Sequence, residues 1–117
     1  MSDERQIEPR RAAELVEGGA ALIDVRDPDE YEAGHIAGAR HVPLDRLSAE
    51  TAGGEPSEPL VLYCRGGDRS GSAAEAFAAS GWDAHSIAGG LAAWADEGLP
   101  LEPEDGSVAE RSGLPPA

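Results

Sequence analysis

The sequence predicts an α/β domain in which a mostly parallel β-sheet is covered by helices on both faces. Short apolar runs of strand length alternate along the chain with stretches of helical periodicity. The loops between them are short, which favours strand–helix–strand units. The 117 residues are enough for one small domain. In such a sheet the functional site is expected at the carboxyl ends of the strands.

The first half of the chain begins with a short edge strand, RQI, and a helix that starts at Pro9. Proline suits the first turn of a helix, Ala12, Leu15 and Val16 form an apolar stripe, and Gly18–Gly19 end it. The next elements are predicted as a strand ALIDV (21–25), one helical turn in DPDEYEAG (27–34), a strand RHVPL (40–44) and a short helix in LDRLSAE (44–50).

The second half repeats the alternation after a loop, TAGGEPSEP (51–59), that is rich in turn formers. The unbroken apolar run LVLYC (60–64) is typical of a central parallel strand. A helix in RSGSAAEAFAASG, a strand DAHSI and a helix in GGLAAWADEG follow it. We predict that the domain spans residues 1–101 and that residues 102–117, which lack periodicity, form a flexible acidic tail.

The charge of the chain limits its partners. The formal net charge is −14, and all nine basic residues are arginine. A strongly acidic surface repels nucleic acid and anionic membranes, and it opposes self-association, so we expect a monomer with neither of those partners. The charged N-terminus lacks the apolar stretch of a secretion signal, and no apolar run reaches the length of a membrane span. We therefore expect a cytoplasmic protein.

The single cysteine, Cys64, lies where the central strand ends. One cysteine cannot form an internal disulfide, and it is too few for the usual cysteine-histidine metal sites, so we expect no metal site. An inert buried cysteine normally has apolar neighbours. Here Gly66 and Gly67 follow it, with Arg65 and Arg69 beside them.

This pattern predicts an anion-binding loop around a nucleophilic cysteine. Glycines let the backbone turn its N–H groups inward, and the helix that follows points its positive end at the same place. Both effects favour the anionic form of the sulfur. Arg65 and Arg69 supply guanidinium groups suited to an anionic substrate. The loop alone fits attack on phosphorus in a phosphate ester or on the outer sulfur of thiosulfate or a persulfide.

Three stretches resemble the rhodanese family of sulfurtransferases. DVRDPDEYEAGHIAGARHVPL (24–44) is similar to the family's D-x-R-x-x-x-E-[FYW]-x-x-G-H-I-x-G-A-x-x-[IV]-P signature. CRGGDRS (64–70) is similar to its active-site loop, and GGLAAWADEGLPL (89–101) to its closing G-G-x-x-x-W-x-x-x-G-x-P motif. The resemblance implies a small sheet of about five parallel strands, and it covers about residues 5–101.

The resemblance also implies a function and a set of site residues. Cys64 would carry sulfur as a persulfide, taken from thiosulfate or a persulfide donor and passed to cyanide, a small thiol or a protein acceptor. Related dual-specificity phosphatases have a loop one residue longer, Cys-x5-Arg, whereas this chain has Cys-x4-Arg. The implied substrate-binding residues are those of the loop: Arg65, Gly66, Gly67, Asp68, Arg69 and Ser70.

Other residues of the motifs receive structural interpretations. Asp24 and Arg26 are expected to form a buried ion pair near the loop, with Glu30 capping or pairing likewise. His35 is expected to support the site by fixing a turn through hydrogen bonds, and the alternative is a role as a proton donor. Trp82 and Trp94 are expected to pack in the core and not to bind substrate.

Two questions remain open at the level of sequence. Asp68 places a carboxylate in an anion-binding loop; it can face the pocket, face solvent, cap the next helix or pair with Arg69. Arg69 closes the loop, so we expect Arg69→Ala to weaken donor use strongly and Arg65→Ala to weaken it less. The alternative functions are a sulfur-carrying interaction module that turns over poorly, and a cysteine-dependent phosphatase or arsenate reductase.

Overall fold

The computed structural model describes residues 5–53, 55–104 and 106–109. Five parallel strands form one sheet in the order β1-β5-β4-β2-β3. The strands are β1 (Gln6–Ile7), β2 (Ala21–Asp24), β3 (Arg40–His41), β4 (Leu60–Tyr63) and β5 (Ala84–Ile87). The helices are α1 (Pro9–Glu17), α2 (Pro28–Ala33), α3 (Ala49–Ala52), α4 (Asp68–Ala79) and α5 (Gly90–Asp96). The predicted α/β class is confirmed.

The core has two layers, one on each face of the sheet, because side chains alternate along the strands. On β4, Leu60 and Leu62 pack with the cluster that contains Phe77 of α4 and Trp82. Val61 and Tyr63 point the other way, into the cluster that contains Leu91 and Trp94 of α5. The tryptophans are therefore core residues, as predicted, and helices cover both faces of the sheet.

The predicted single helix over residues 44–50 is wrong. A 3-10 turn at Leu44–Arg46 is followed by a separate helix, α3, which begins after Ser48. The Ser48 side chain accepts a hydrogen bond from the backbone N–H of Thr51 at 3.3 Å, while the Thr51 hydroxyl accepts one from the N–H of Ser48 at 2.7 Å. This reciprocal capping starts a new helix at Ala49 and carries it to Ala52, into the predicted loop.

Part of the predicted C-terminal tail contacts the domain. Glu102 exchanges backbone hydrogen bonds of 2.7 and 3.0 Å with His35, and the N–H of Ser107 donates to the carbonyl of Ala33 at 2.8 Å. Val108 packs against the cluster on the α1 and α5 face. Residues 105 and 110–117 of the predicted tail lie outside the described residues.

No helix in the described part of the chain is long and apolar enough to span a bilayer.

Candidate active site

Cys64 is the first residue after β4, at the carboxyl edge of the sheet, and only 1% of it is exposed. Its Sγ accepts hydrogen bonds from the N–H of Gly67 at 3.1 Å and from the N–H of Ser70 at 3.5 Å. The hydroxyl of Ser70 also lies 3.5 Å from Sγ. Hydrogen-bond donors directed at a sulfur favour its anionic form, whereas burial opposes that form.

The backbone conformation of Gly67 directs these donors at the sulfur. Gly67 has a φ of 104°, in the left-handed region that favours glycine, and it immediately precedes α4. The turn there brings the Gly67 N–H and the first turn of α4 around Sγ. Within the loop from Arg65 to Ser70, the N–H groups of Gly67 and Ser70 donate directly to Sγ.

The loop carbonyls are held by the start of α5. The N–H of Leu91 donates to the carbonyl of Cys64 at 2.8 Å, and the N–H of Ala92 donates to that of Arg65 at 3.0 Å. Gly90 permits this close docking, because a Cβ there would lie 2.5 Å from both carbonyl oxygens. Gly90 of the third motif therefore allows the start of α5 to hold the cysteine loop.

Arg69 is braced by a fully buried carboxylate. Its two terminal nitrogens donate to the two carboxylate oxygens of Glu30, each at 3.0 Å, and Glu30 Oε1 also accepts from the N–H of Asp27 at 3.1 Å. Glu30 is on α2, within the first motif, so this bidentate pair joins that motif to the loop. The predicted capping and pairing of Glu30 are both confirmed.

The ion pair between Glu30 and Arg69 shifts the pKa values of both residues. Burial alone would raise the pKa of Glu30, but the hydrogen bonds from Arg69 and Asp27, with the charge of Arg69, hold that pKa below its ordinary value of 4.5. The hydrogen bond from Glu30 raises the pKa of Arg69, against the opposing effect of burial. Both groups are therefore charged at neutral pH, and they largely offset each other.

Glu30 should make the fold sensitive to acid. A carboxyl group whose pKa is lowered in the folded state contributes stability that is complete above its unfolded pKa and is lost as the pH falls through its folded pKa. We expect Glu30→Gln to reduce the free energy of unfolding by about 2 kcal/mol at pH 7. The difference from wild type should shrink as the pH falls below 4.5, the ordinary value for this group. Urea unfolding from pH 7 to pH 3 measures it; a difference independent of pH would contradict the assignment.

Arg65 is the loop cation without such a partner in the part of the chain that the structure describes. It is half-buried, and among the described residues its Nε has no hydrogen-bond partner although that atom is buried. A buried donor of this kind normally has a partner.

Asp68 is exposed and is the first residue of α4, and Arg69 pairs with Glu30 and not with Asp68. Of the alternatives for Asp68, the structure supports the one in which it faces solvent.

The predicted Asp24–Arg26 ion pair is present and fully buried. Arg26 Nη2 donates to Asp24 Oδ2 at 2.7 Å and to the carbonyl of Gly34, also at 2.7 Å. Burial opposes the charged guanidinium, but the hydrogen bond and charge of Asp24 raise the pKa of Arg26. Asp24 is in register with Tyr63, whose ring lies 5.6 Å from the guanidinium carbon of Arg26. The pair thus supports the strand ends next to Cys64.

His35 fixes a turn, as predicted. Its Nδ1 lies 2.9 Å from the carbonyl of Tyr31, and its ring stacks on the Tyr31 ring with centroids 3.9 Å apart. His41 stacks on the same tyrosine at 4.5 Å, and its Nε2 lies 2.8 Å from the carbonyl of Arg26. These contacts give His35 a structural role at the end of α2.

A surface depression of about 310 Å³ lies beside Arg69 and is lined by Val25, Asp27, Leu44 and Asp45 as well. Leu44 is the exposed large apolar side chain among the described residues. Within the same part of the chain, no group of three or more His, Cys, Asp or Glu side chains is arranged to hold a metal ion.

Ser86 belongs to the site but to none of the three sequence motifs. Ser86, on β5, is fully buried, and its Oγ lies 2.7 Å from that of Ser70. A serine inside the predicted strand DAHSI is the signal in the sequence, because a buried hydroxyl requires a hydrogen-bond partner.

Comparisons with known proteins agree with this geometry. The family model of the rhodanese-like domain matches residues 8–97. A thiosulfate sulfurtransferase GlpE from Pseudomonas paraeruginosa is 38% identical over 112 residues, which cover 94% of this chain and 98% of that protein. The crystal structure of a rhodanese-related protein from Thermoplasma volcanium has a TM-score of 0.74 at 28% identity and covers 83% of this chain and 96% of its own.

A further solved structure carries a different suggestion in its description. It is a Rhodopseudomonas palustris protein of unknown function described as a possible tyrosine phosphatase, with a TM-score of 0.70, 29% identity and 84% of each chain covered. The match of the family model to most of the chain, with the three motifs around one cysteine, shows that this chain belongs to the rhodanese-like domain family.

Proposed function

We propose that this protein is a sulfurtransferase that carries a sulfane sulfur on Cys64, from thiosulfate or a persulfide donor to a thiophilic acceptor. The observation that carries the proposal is the buried sulfur of Cys64 at the carboxyl edge of the sheet. This sulfur accepts hydrogen bonds from the N–H groups of Gly67 and Ser70. A relative that matches nearly the whole chain is named a thiosulfate sulfurtransferase, which supports the same activity.

The reaction proceeds by double displacement. In the first half, the Cys64 thiolate attacks the outer sulfur of thiosulfate; the sulfur–sulfur bond of the donor breaks, and sulfite leaves with the bonding electron pair. In the second half, the acceptor attacks the outer sulfur of the resulting persulfide, and the electron pair of the broken bond returns to Cys64 as a thiolate. The net charge around Sγ stays negative throughout, so the N–H donors act in both halves.

Arg65 is the residue to which we assign the charge of the donor. The guanidinium of Arg69 is offset by Glu30, whereas the buried Nε of Arg65 has no partner among the described residues. An anion next to the loop would give that donor a charge-assisted hydrogen bond. Cyanide, a small thiol or a protein thiol are the acceptors we propose, with a monomer in the cytoplasm as the expected state.

The test is intact-protein mass spectrometry of wild type and Cys64→Ser after incubation with thiosulfate. We expect wild type alone to gain the mass of one sulfur atom, and cyanide to remove it with formation of thiocyanate. A persulfide that forms but is not released to cyanide or small thiols would instead indicate a carrier module. If neither thiosulfate nor a persulfide donor gives an adduct, the proposal fails. Hydrolysis of a phosphate ester that is lost in Cys64→Ser would then support a phosphatase.

A further inference from the structure

A pair of buried hydroxyls lies behind Cys64. Ser70, on α4, and Ser86, on β5, are both 0% exposed, and their oxygens are 2.7 Å apart. Ser86 is outside the cysteine loop and is in register with Leu62 of β4. Contacts therefore run from β5 through Ser70 to the sulfur, because Ser70 Oγ lies 3.5 Å from Cys64 Sγ.

The hydroxyl hydrogens of this pair can take two arrangements. Ser70 has one hydroxyl proton and three neighbours able to accept it: Cys64 Sγ and the carbonyl of Gly67, both at 3.5 Å, and Ser86 Oγ. If Ser70 donates to Ser86, only its lone pairs can face the sulfur, and this suits a protonated thiol. If Ser86 donates to Ser70, the Ser70 proton is free to point at the sulfur, and this suits a thiolate.

Hydrogen-bond accounting favours the second arrangement. Within the described residues, the Ser86 side chain has one hydrogen-bond partner, which is the hydroxyl of Ser70. When Ser86 donates to Ser70, both hydroxyl protons are used. In the reverse arrangement the Ser86 proton is buried without an acceptor, which is unfavourable. Ser86 therefore frees the Ser70 proton for its two other acceptors, the sulfur and the carbonyl of Gly67. The carbonyl already accepts the N–H of Gly71 at 2.8 Å, and an anionic sulfur is the stronger acceptor, so the proton points at the sulfur.

We propose that Ser86 is a positioning residue for Cys64, which acts by directing the Ser70 hydroxyl to donate a hydrogen bond to the anionic sulfur. No proton is transferred; the O–H bonds only reorient. The inference rests on the proposed function in one respect: the thiolate is both the nucleophile of the first half-reaction and the leaving group of the second. Its stabilisation by Ser70 would act in each.

The experiment compares Ser86→Ala, Ser86→Thr, Ser70→Ala and the Ser70→Ala/Ser86→Ala double variant in the full chain. Alkylation of Cys64 by iodoacetamide is measured from pH 5 to pH 10. We expect Ser86→Ala to move the midpoint of the pH profile upward and to slow alkylation at a pH below that midpoint by about fivefold, the effect of one hydrogen bond. The plateau rate at high pH should not decrease, and Ser86→Thr should restore the wild-type profile.

The double variant separates positioning from general packing. Because Ser86 acts through Ser70, the double variant should alkylate no more slowly than Ser70→Ala alone. A merely structural role would lower the melting temperature without moving the midpoint. An unchanged midpoint in Ser86→Ala, a failure of Ser86→Thr to restore it, or losses that multiply in the double variant would overturn the proposal.

The alkylation readout does not require sulfur transfer. If wild type gains no sulfur from any donor but Ser86→Ala still moves the midpoint, the proposed function fails and the role of Ser86 stands. If wild type forms the persulfide and Ser86→Ala leaves the midpoint unchanged, the function stands and the positioning role fails.

Discussion

Arg69→Ala will unfold at a markedly lower temperature than wild type, whereas Arg65→Ala will lose donor affinity without losing stability. Glu30 is 0% exposed and depends on Arg69 for two hydrogen bonds. Removing one partner of a buried ion pair leaves the other charge without compensation, and this costs about 3 kcal/mol. In a domain of this size that corresponds to a fall in melting temperature of about 15 °C.

Arg65→Ala removes no ion pair among the described residues. We expect its melting temperature to stay within about 3 °C of wild type, as for most partly exposed positions. The KM for thiosulfate should rise by about tenfold or more, the effect of losing one or more charge-assisted hydrogen bonds. Steady-state thiocyanate formation with varied thiosulfate gives the KM, and calorimetry gives the melting temperatures of both variants.

A double-mutant cycle with Glu30→Gln controls for indirect effects of Arg69→Ala. If the ion pair is the source of the instability, the combined variant will be less destabilised than the sum of the two single variants. Additive losses would show that Arg69 stabilises the loop by other contacts. A normal melting temperature for Arg69→Ala, together with the larger rise in KM, would restore the division of roles that the sequence predicts.

The fold and the centre of the site were predictable because their signals are local. Apolar runs of strand length, Pro9 at a helix start, and glycines after a cysteine each report on the conformation of their own segment. The strand LVLYC and the loop that follows it were located to within a residue: the strand ends at Tyr63 and α4 begins at Asp68. The Asp24–Arg26 pair spans two residues and was equally accessible.

The parts that were not predictable depend on long-range pairing or on competing local interactions. Arg69 and Glu30 are 39 positions apart, so only the packing of α2 against the loop shows that the guanidinium is already paired. Ser70 and Ser86 meet across 16 positions for the same reason. The helix predicted over 44–50 divides because Ser48 and Thr51 cap each other. There a side-chain cap outweighs the helical propensity of the segment.

The dependence of the cysteine loop on α5 leads to the second large effect. Gly90→Ala should greatly impair sulfur loading, although Gly90 is not one of the residues that donate a hydrogen bond to the sulfur in the described structure. Its φ is +62°, and an added Cβ would lie 2.5 Å from the carbonyl oxygens of Cys64 and Arg65. Either the loop or α5 must move, so the bonds from Leu91 and Ala92 to those carbonyls will lengthen. We expect a loss of about 3 kcal/mol in stability, from overpacking and the left-handed backbone together.

Gly98→Ala is the matched control for the cost of placing alanine at a left-handed backbone position. Gly98 is also left-handed, with a φ of +77°, and it follows the other end of α5, but an added Cβ there meets nothing within 4 Å. It should cost about 1 kcal/mol and leave persulfide formation at the wild-type rate. Gly90→Ala should load sulfur at least tenfold more slowly than Gly98→Ala, since displaced N–H donors lose alignment with the thiolate. Equal loading rates in the two variants, measured by time-resolved mass spectrometry with thiosulfate, would mean that the donors around Cys64 are positioned by the loop alone and that the contact with α5 serves only stability.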